Sequence, residues 1–175
     1  TLSLHAPLPL YQNITLGNTP FQFGGSSFSI SVWANWNGDP KLGSHILDKQ
    51  GYPANGGNGY RLFTNGSGTI WFGLSSSTLG IDKEYDTGVL PVQNSWYHLT
   101  VTVVNGGLVT IYVNGQSMVS GATYLISGNN AQLTLGKRVD LNDTALFIGN
   151  LDDVRIYNRA LSASEVNLLY HENGW

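Results

Sequence analysis

An all-β sandwich or barrel is the fold class this sequence predicts, on three observations. The chain holds 22 Gly against only 11% charged residues. Its apolar residues fall in short β-branched and aromatic runs. Gly, Asn and Ser cluster between those runs at short, regular spacing, which is the punctuation of antiparallel strands. At 175 residues and 41% hydrophobic content, residues 1–175 fit a single domain that can bury a two-layer core without metals or cross-links. Helix is a minor part.

Residues 28–34 alternate large apolar with small side chains, pointing Phe28, Ile30, Val32 and Ala34 into a core and Trp33 to the other face. Asn35, Asn37, Gly38, Asp39 and Pro40 form a run of turn formers after that strand, which places Trp36 beside a loop. Strands are predicted over 44–49, 59–64 and 69–75, the last two joined at Asn65-Gly66, a pair suited to positive φ. Tyr60, Leu62, Ile70, Phe72 and Leu74 face inward there, and Trp71 alternates out. Residues 96–104 and 108–114 flank Asn105-Gly106-Gly107, the strongest hairpin signature in the chain. Strands over 132–136, 145–148 and 151–157 complete the set. Ser162 and Glu165 are spaced as a capping box, so one short helix over about 163–170 follows, docked by Val166, Leu169 and Tyr170, with Gly174 past its end.

The formal charge is -3 and the eight Lys and Arg are scattered. No basic stripe is present to neutralise phosphates, which argues against nucleic acid and anionic membrane surfaces as partners and favours a neutral ligand. No apolar run approaches the roughly 20 residues needed to cross a bilayer, so membrane insertion is not expected. The start at Thr1, with neither signal peptide nor initiator Met, reads as a mature or excised domain. Cysteine is absent, which excludes disulfides, thiolate metal sites and a cysteine nucleophile. Low charge with abundant Asn, Ser, Thr, Gly and aromatics suits a secreted or cell-surface bacterial module.

Catalytic patterns are sparse. His5, His45, His98 and His171 stand far apart without metal-binding spacing. No Gly-x-Ser-x-Gly elbow occurs. Asp82, Glu84 and Asp86 alternate along one segment, the kind of pattern a retaining glycanase uses to hold two carboxyl groups about 5–5.5 Å apart. Gly80 and Gly88 flank that segment and inward apolar residues are few, so a solvated loop or edge strand is the favoured reading.

Five segments occur in a telling order: Phe28-Ser-Ile-Ser-Val-Trp33, Ile46-Leu-Asp-Lys49, Trp96-Tyr-His-Leu-Thr-Val-Thr102, Ile111-Tyr-Val-Asn-Gly115, and Leu151-Asp-Asp-Val-Arg-Ile-Tyr-Asn-Arg-Ala-Leu-Ser162. Together, over roughly Phe21 to Tyr170, they resemble the laminin-G-like jelly-roll family of the concanavalin A-like lectin/glucanase superfamily. The first 20 residues match less well, because Phe21-Gln-Phe-Gly-Gly25 stands where the family has Phe-Asp-Gly. The resemblance implies a two-sheet antiparallel jelly-roll sandwich with one short C-terminal helix and ligands on a concave surface or its rim loops. It also implies covalent attachment to other domains of a carbohydrate-active enzyme or adhesin. A fold of this kind does not by itself decide function.

Sugar binding needs flat aromatic surfaces beside amides and charged groups that bond hydroxyls. Parity or loop position takes Trp36, Trp71, Tyr85, Tyr112 and Tyr157 out of the inter-sheet core, with Trp33 as a further candidate; each either covers an outer face or stacks on sugar. Asn35, Asn58, Lys49, Arg61 and Arg155 supply candidate polar contacts. His98 alternates away from Leu99 and Val101, toward either a structural hydrogen bond or the ligand. The resemblance further implies a structural calcium ion tying the N-terminal segment to the last strand. Oxygen ligands suit that ion; Asp152, which shares parity with Val154 and Ile156 and so falls at the core's end, and the carbonyl of Gly25 are the preferred pair, with the alternative that Asp153 pairs with Arg155 or a lysine at the surface. The expected function is a non-catalytic module that binds a polysaccharide or glycan, with a protein-binding adhesin and a glycan hydrolase or lyase as competing readings.

Overall fold

The computed structural model describes residues 2–4, 8–10, 14–17, 21–50, 57–76, 79–125, 128–139 and 145–172. His5 and Gly174 lie outside the described residues. The strands are β1 (Leu2–Leu4), β2 (Leu8–Leu10), β3 (Ile14–Leu16), β4 (Phe28–Trp36), β5 (His45–Asp48), β6 (Gly59–Thr64), β7 (Ile70–Ser76), β8 (Ile81–Asp86), β9 (Trp96–Val103), β10 (Leu108–Val113), β11 (Gln116–Ala122), β12 (Leu133–Leu135) and β13 (Gly149–Tyr157). Helix α1 spans Ala163–His171. A seven-stranded sheet runs β1-β13-β4-β9-β10-β11, with β2 also paired to β13, and a six-stranded sheet runs β3-β12-β5-β6-β7-β8. Both are antiparallel and pack face to face as a jelly-roll sandwich.

Period-two alternation builds the core. Phe28, Ile30, Val32 and Ala34 of β4, with Leu99, Val101 and Val103 of β9, meet Leu62, Ile70, Phe72 and Leu74 of the second sheet. The two free edges approach each other, where the Tyr85 hydroxyl and the Lys83 ammonium of β8 both donate to the Ala122 carbonyl of β11, at 2.8 and 2.9 Å. A capping box at Ser162 and Glu165 starts α1 as expected.

Three readings of local sequence are corrected. β4 continues through Asn35 and Trp36, which pair with Trp96 and with Asn150 and Gly149. Ladder bonds to strands on both sides outweigh the turn propensity of asparagine. Gly149 permits this pairing, because a Cβ there would stand 2.0 Å from the Asn35 carbonyl oxygen. Residues 145–148 form no strand; they bridge the sheets at a corner, where Phe147 N–H donates to Gly136 and the Ile148 carbonyl accepts from Asn37 and Gly38. The strand β11, not anticipated, is a mostly exposed edge whose short polar side chains carry no apolar stripe.

Gly59 holds φ at +133°, and a Cβ there would lie 2.1 Å from the Lys49 carbonyl oxygen. Gly66 has nothing within 4 Å of an added Cβ. We expect Gly59→Ala to lower unfolding stability by more than about 2 kcal/mol and Gly66→Ala to stay within about 0.5 kcal/mol of the parent, read from urea denaturation midpoints.

Candidate functional site

The two outer faces of the sandwich differ. On the seven-stranded sheet, Ser29, Ser31, Trp33 and Asn35 of β4 and His98, Thr100 and Thr102 of β9 project outward, and all are buried. Helix α1 and the segment leading into it cover Ser29, Trp33 and His98 among them. Val166 and Leu161 pack on Tyr112, with Tyr157 and Leu169 alongside. Tyr170 lies over Trp33 and His98, with ring centroids at 5.8 and 5.9 Å. Ser29 Oγ accepts from Leu161 N–H at 2.9 Å and donates to the Arg159 carbonyl at 3.0 Å, pinning the crossing chain.

On the six-stranded sheet the outer face is partly open. Its strands alternate cleanly: Tyr60 and Leu62 point in while Arg61 and Phe63 point out, and Ile70, Phe72 and Leu74 point in while Trp71, Gly73 and Ser75 point out. On β8, Asp82, Glu84 and Asp86 are exposed and Tyr85 is buried. A bulge between His45 and Leu47 sends both Ile46 and Leu47 into the core and returns Asp48 to the outer face opposite Arg61. Cross-strand register then lines up two rows. One runs Thr15, Thr134, Asp48, Arg61, Gly73 and Glu84; the other runs His45, Phe63, Trp71 and Asp86.

Gly73 organises the first row. The Arg61 side chain crosses the strand at the place where a Gly73 Cβ would stand 3.0 Å from its Nε, and so reaches β8. There its Nη2 donates to Glu84 Oε1 and lies 3.5 Å from Asp82 Oδ2. The guanidinium also sits 5.0 Å from the centre of the Phe63 ring. Two carboxylates and an aromatic face compensate its burial. His45 Nδ1 bonds Asp48 Oδ2 at 2.8 Å, and Gln50 N–H donates to Asp48 Oδ1 at 2.7 Å. Beyond Arg61, Gln50 Nε2 donates to Ser75 Oγ at 2.5 Å, and Ser75 Oγ donates to Asp82 Oδ1 at 2.9 Å. Gln50, Ser75, Ser76 and Asp82 line an open hollow of about 200 Å³ with Gly57, Gly80 and Ile81. Trp71, half-buried, lies in the neighbouring row with its Nε1 donating to Thr69 Oγ1 at 2.7 Å.

The residues singled out from sequence therefore divide between two faces and the core. Trp71 and Arg61 stand on the open outer face. Trp36 is a correction: it is 1% exposed in the core, edge-on to Phe147 at 5.2 Å, because β4 carries its parity one step past Ala34. Tyr85 is likewise corrected to the core. Tyr112, Tyr157, Asn35, His98 and Arg155 face outward on the seven-stranded sheet, where α1 and its lead-in seal Tyr112 and His98. Arg155 bonds Glu172 at the end of that helix and lies 3.3 Å from Asp153. Lys49 is 1% exposed and donates to the Ala131 carbonyl at 2.5 Å and Asn129 Oδ1 at 3.3 Å; burial lowers its pKa to about 8. It fastens the 128–131 segment and presents no ammonium to solvent. Asn58 donates to the Gly128 carbonyl beside it.

Asp152 and Gly25, the pair expected at a calcium ion, stand toward opposite ends of β4. The register shift between Asp152 and Arg155 reverses the expected parity, so Asp152 stands opposite Trp33 on the outer face and accepts from Asp153 N–H. Gly25 precedes β4, whose residue Ser29 is already about 13 Å along the strand from Trp33 at about 3.3 Å per residue. Among the described residues, no group of three His, Asp or Glu is placed to hold a metal. The residues missed from sequence are Gln50, Phe63, Gly73 and Ser75. Parity with Arg61 and Trp71 marks Phe63, Gly73 and Ser75 as outward, but which of them meet depends on register between strands.

Two antiparallel sheets packed as a jelly-roll sandwich, with one short C-terminal helix, define the architectural class. A family model described as the Concanavalin A-like lectin/glucanases superfamily matches residues 10–167, and the chain belongs to that superfamily. Among solved structures it is similar to the CBM40 of Ruminococcus gnavus IT-sialidase bound to α2,3 sialyllactose, with TM-score 0.76, 12% identity, and 97% of this chain and 98% of that one covered. It is also similar to the botulinum neurotoxin serotype D ligand binding domain in complex with N-acetylneuraminic acid, with TM-score 0.72, 16% identity, and 93% of this chain and 40% of that one covered. In sequence it is 26% identical to botulinum neurotoxin type G of Clostridium botulinum over 175 residues, 90% of this chain and 13% of the toxin. The chain thus spans about an eighth of that relative's length. Among the described residues no helix is long and apolar enough to cross a membrane.

The buried imidazole of His98 makes a measurable prediction. Burial, with a contribution from Arg155, lowers its pKa from 6.5 to about 4, against an opposing pull from Asp153. Its Nε2 is 2.8 Å from Ser31 Oγ. Between these two values the unfolded chain binds more protons than the folded one. The stability that a neutral His98 contributes is therefore complete above pH 6.5 and is lost as pH falls toward 4, by about 3 kcal/mol in all. Urea denaturation at pH 7.5 and pH 4.5 should show this loss in the parent and a smaller one in His98→Gln; equal losses would contradict it.

Proposed function

We propose that this domain is a non-catalytic carbohydrate-binding module that uses the outer face of its six-stranded sheet. The observation that carries the reading is the juxtaposition on that face of a half-buried indole, Trp71, with a polar hollow walled by Gln50, Ser75 and Asp82. An indole face packs on the C–H groups of a pyranose, while the amide, hydroxyls and carboxylate exchange water for sugar hydroxyls. Trp71 and Ser75 lie four residues apart on β7, about 13 Å, so an oligosaccharide rather than a single sugar spans both. The superfamily membership and the glycan ligands of its structural neighbours support the same reading.

Two of the carboxylates on this face are already committed to a cross-strand contact. Asp82 and Glu84 are 55% and 38% exposed at their side chains, and both are engaged by Arg61. We further propose that the module is extracellular and is carried by a larger protein, a setting in line with relatives that are domains of longer chains.

Titration calorimetry against a panel of polysaccharides and oligosaccharides tests the reading. We expect saturable binding to at least one member, weakened at least tenfold by Trp71→Ala with little change in the unfolding midpoint, because stacking supplies much of the net gain. Trp36→Ala should instead cost about 3–5 kcal/mol of stability by emptying a core site. Absence of saturable binding across the panel, or unchanged affinity in Trp71→Ala, would overturn the assignment.

A further inference from the structure

We infer that this face selects uncharged sugars and rejects those bearing a carboxylate, such as sialic or uronic acids. The inference rests on the reading that the face binds glycan, and it concerns which class of glycan enters. Asp82, Glu84 and Asp86 alternate along β8 and all face the same side, with one guanidinium, Arg61, set among them. Three carboxylates against one cation leave this border of the site negative. The guanidinium is itself held in the row by Glu84 and Asp82, and its side chain is 10% exposed.

Lys83, Lys137 and Arg138 are directed elsewhere. Lys83 turns away from the face to the Ala122 carbonyl at 2.9 Å. Lys137 and Arg138 follow β12, which is four strands from β8 and therefore about 19 Å away at the usual spacing. Among the described residues, the wall of the hollow carries one charged group, Asp82, beside the amide of Gln50 and the hydroxyls of Ser75 and Ser76. A carboxylate accepts hydrogen bonds from sugar hydroxyls, and the amide both donates and accepts, so a hydroxyl-rich neutral ring is matched. A sugar carboxylate placed there meets Asp82 as an acceptor facing an acceptor, and like charges so juxtaposed are a recognised device for excluding a wrong partner. The preference runs opposite to the ligands in the sialyllactose-bound and N-acetylneuraminic acid-bound neighbours, whose identities of 12% and 16% establish common fold rather than common ligand.

The test pairs neutral with carboxylated sugars: lactose with 3′-sialyllactose, and the methyl ester of oligogalacturonate with oligogalacturonate itself, the second pair differing only in the charge of the carboxyl group. Each is titrated into the whole chain and into the double variant Asp82→Asn/Asp86→Asn, at low and at moderate salt. We expect neutral members to bind at least tenfold more tightly than their carboxylated partners at low salt. The gap should narrow severalfold in the double variant and on adding salt, which screens charges beyond a Debye length of about 10 Å at 0.1 M. A carboxylated member that binds as tightly as its neutral partner, or more tightly, overturns this inference while leaving glycan binding intact. A gap that persists unchanged in the double variant overturns the assignment to these carboxylates. Failure of every sugar, with the chain folded, overturns the glycan-binding reading itself.

Discussion

The arrangement of this molecule depends on cross-strand register in the six-stranded sheet, where Arg61 of β6 lies opposite Gly73 of β7 and Gly73 opposite Glu84 of β8. A side chain at the middle position would block the guanidinium. With glycine there, Arg61 crosses one strand and reaches the edge, tying β6 to β8 on the outer face while Leu62, Phe72 and Tyr85 fill the inner one. The same register puts Phe63 beside Trp71 and leaves Ser75 beside Asp82, so one pairing pattern fixes both the aromatic row and the polar hollow. Slippage by one residue would turn Trp71 into the core and Phe72 to solvent.

The second constraint is the terminal helix. The seven-stranded sheet carries an outer face rich in groups that sugar-binding proteins use, among them Trp33, His98, Asn35 and Tyr112. Helix α1, started by the Ser162–Glu165 capping box, covers part of it with Val166 and Tyr170 and converts these polar and aromatic groups into an interior. The cover is imperfect. Asn35 Oδ1, His98 Nδ1 and Thr100 Oγ1 are buried without a hydrogen-bond partner among the described residues, and each such group weakens the seat on which the helix rests. The opposite side of the sandwich, by contrast, keeps a partly open outer face.

Much of the scaffold is legible in the chain because apolar alternation survives in β4, β6, β7, β9 and β10. The bounds of β6 agree with the pattern residue for residue, the pattern for β9 and β10 errs by one residue, and the capping box locates the helix start. Edge strands are less legible, since β8 and β11 pair on one side, expose most of their side chains and carry no apolar stripe. Trp36 is not legible, because local composition around Asn35 and Asn37 signals a turn, whereas pairing of Asn35 on both sides and of Trp36 with Gly149 carries the strand through it. Trp71 and Arg61 could be read as outward-facing from parity alone. The register that joins them to Gly73, Ser75 and Glu84 could not, because it is set by contacts between segments distant in sequence. Asp152 shows the same limit, since a single bulge in β13 inverted the face that parity assigned to it.

Amide chemical-shift mapping during titration with a soluble panel of neutral oligosaccharides tests most directly which face binds. The account predicts saturable shifts at Arg61, Trp71, Gly73, Ser75, Asp82 and Glu84, with β9, β10 and α1 unmoved. Shifts confined to Trp33, His98, Tyr112 and the helix, with β6 to β8 silent, would contradict it.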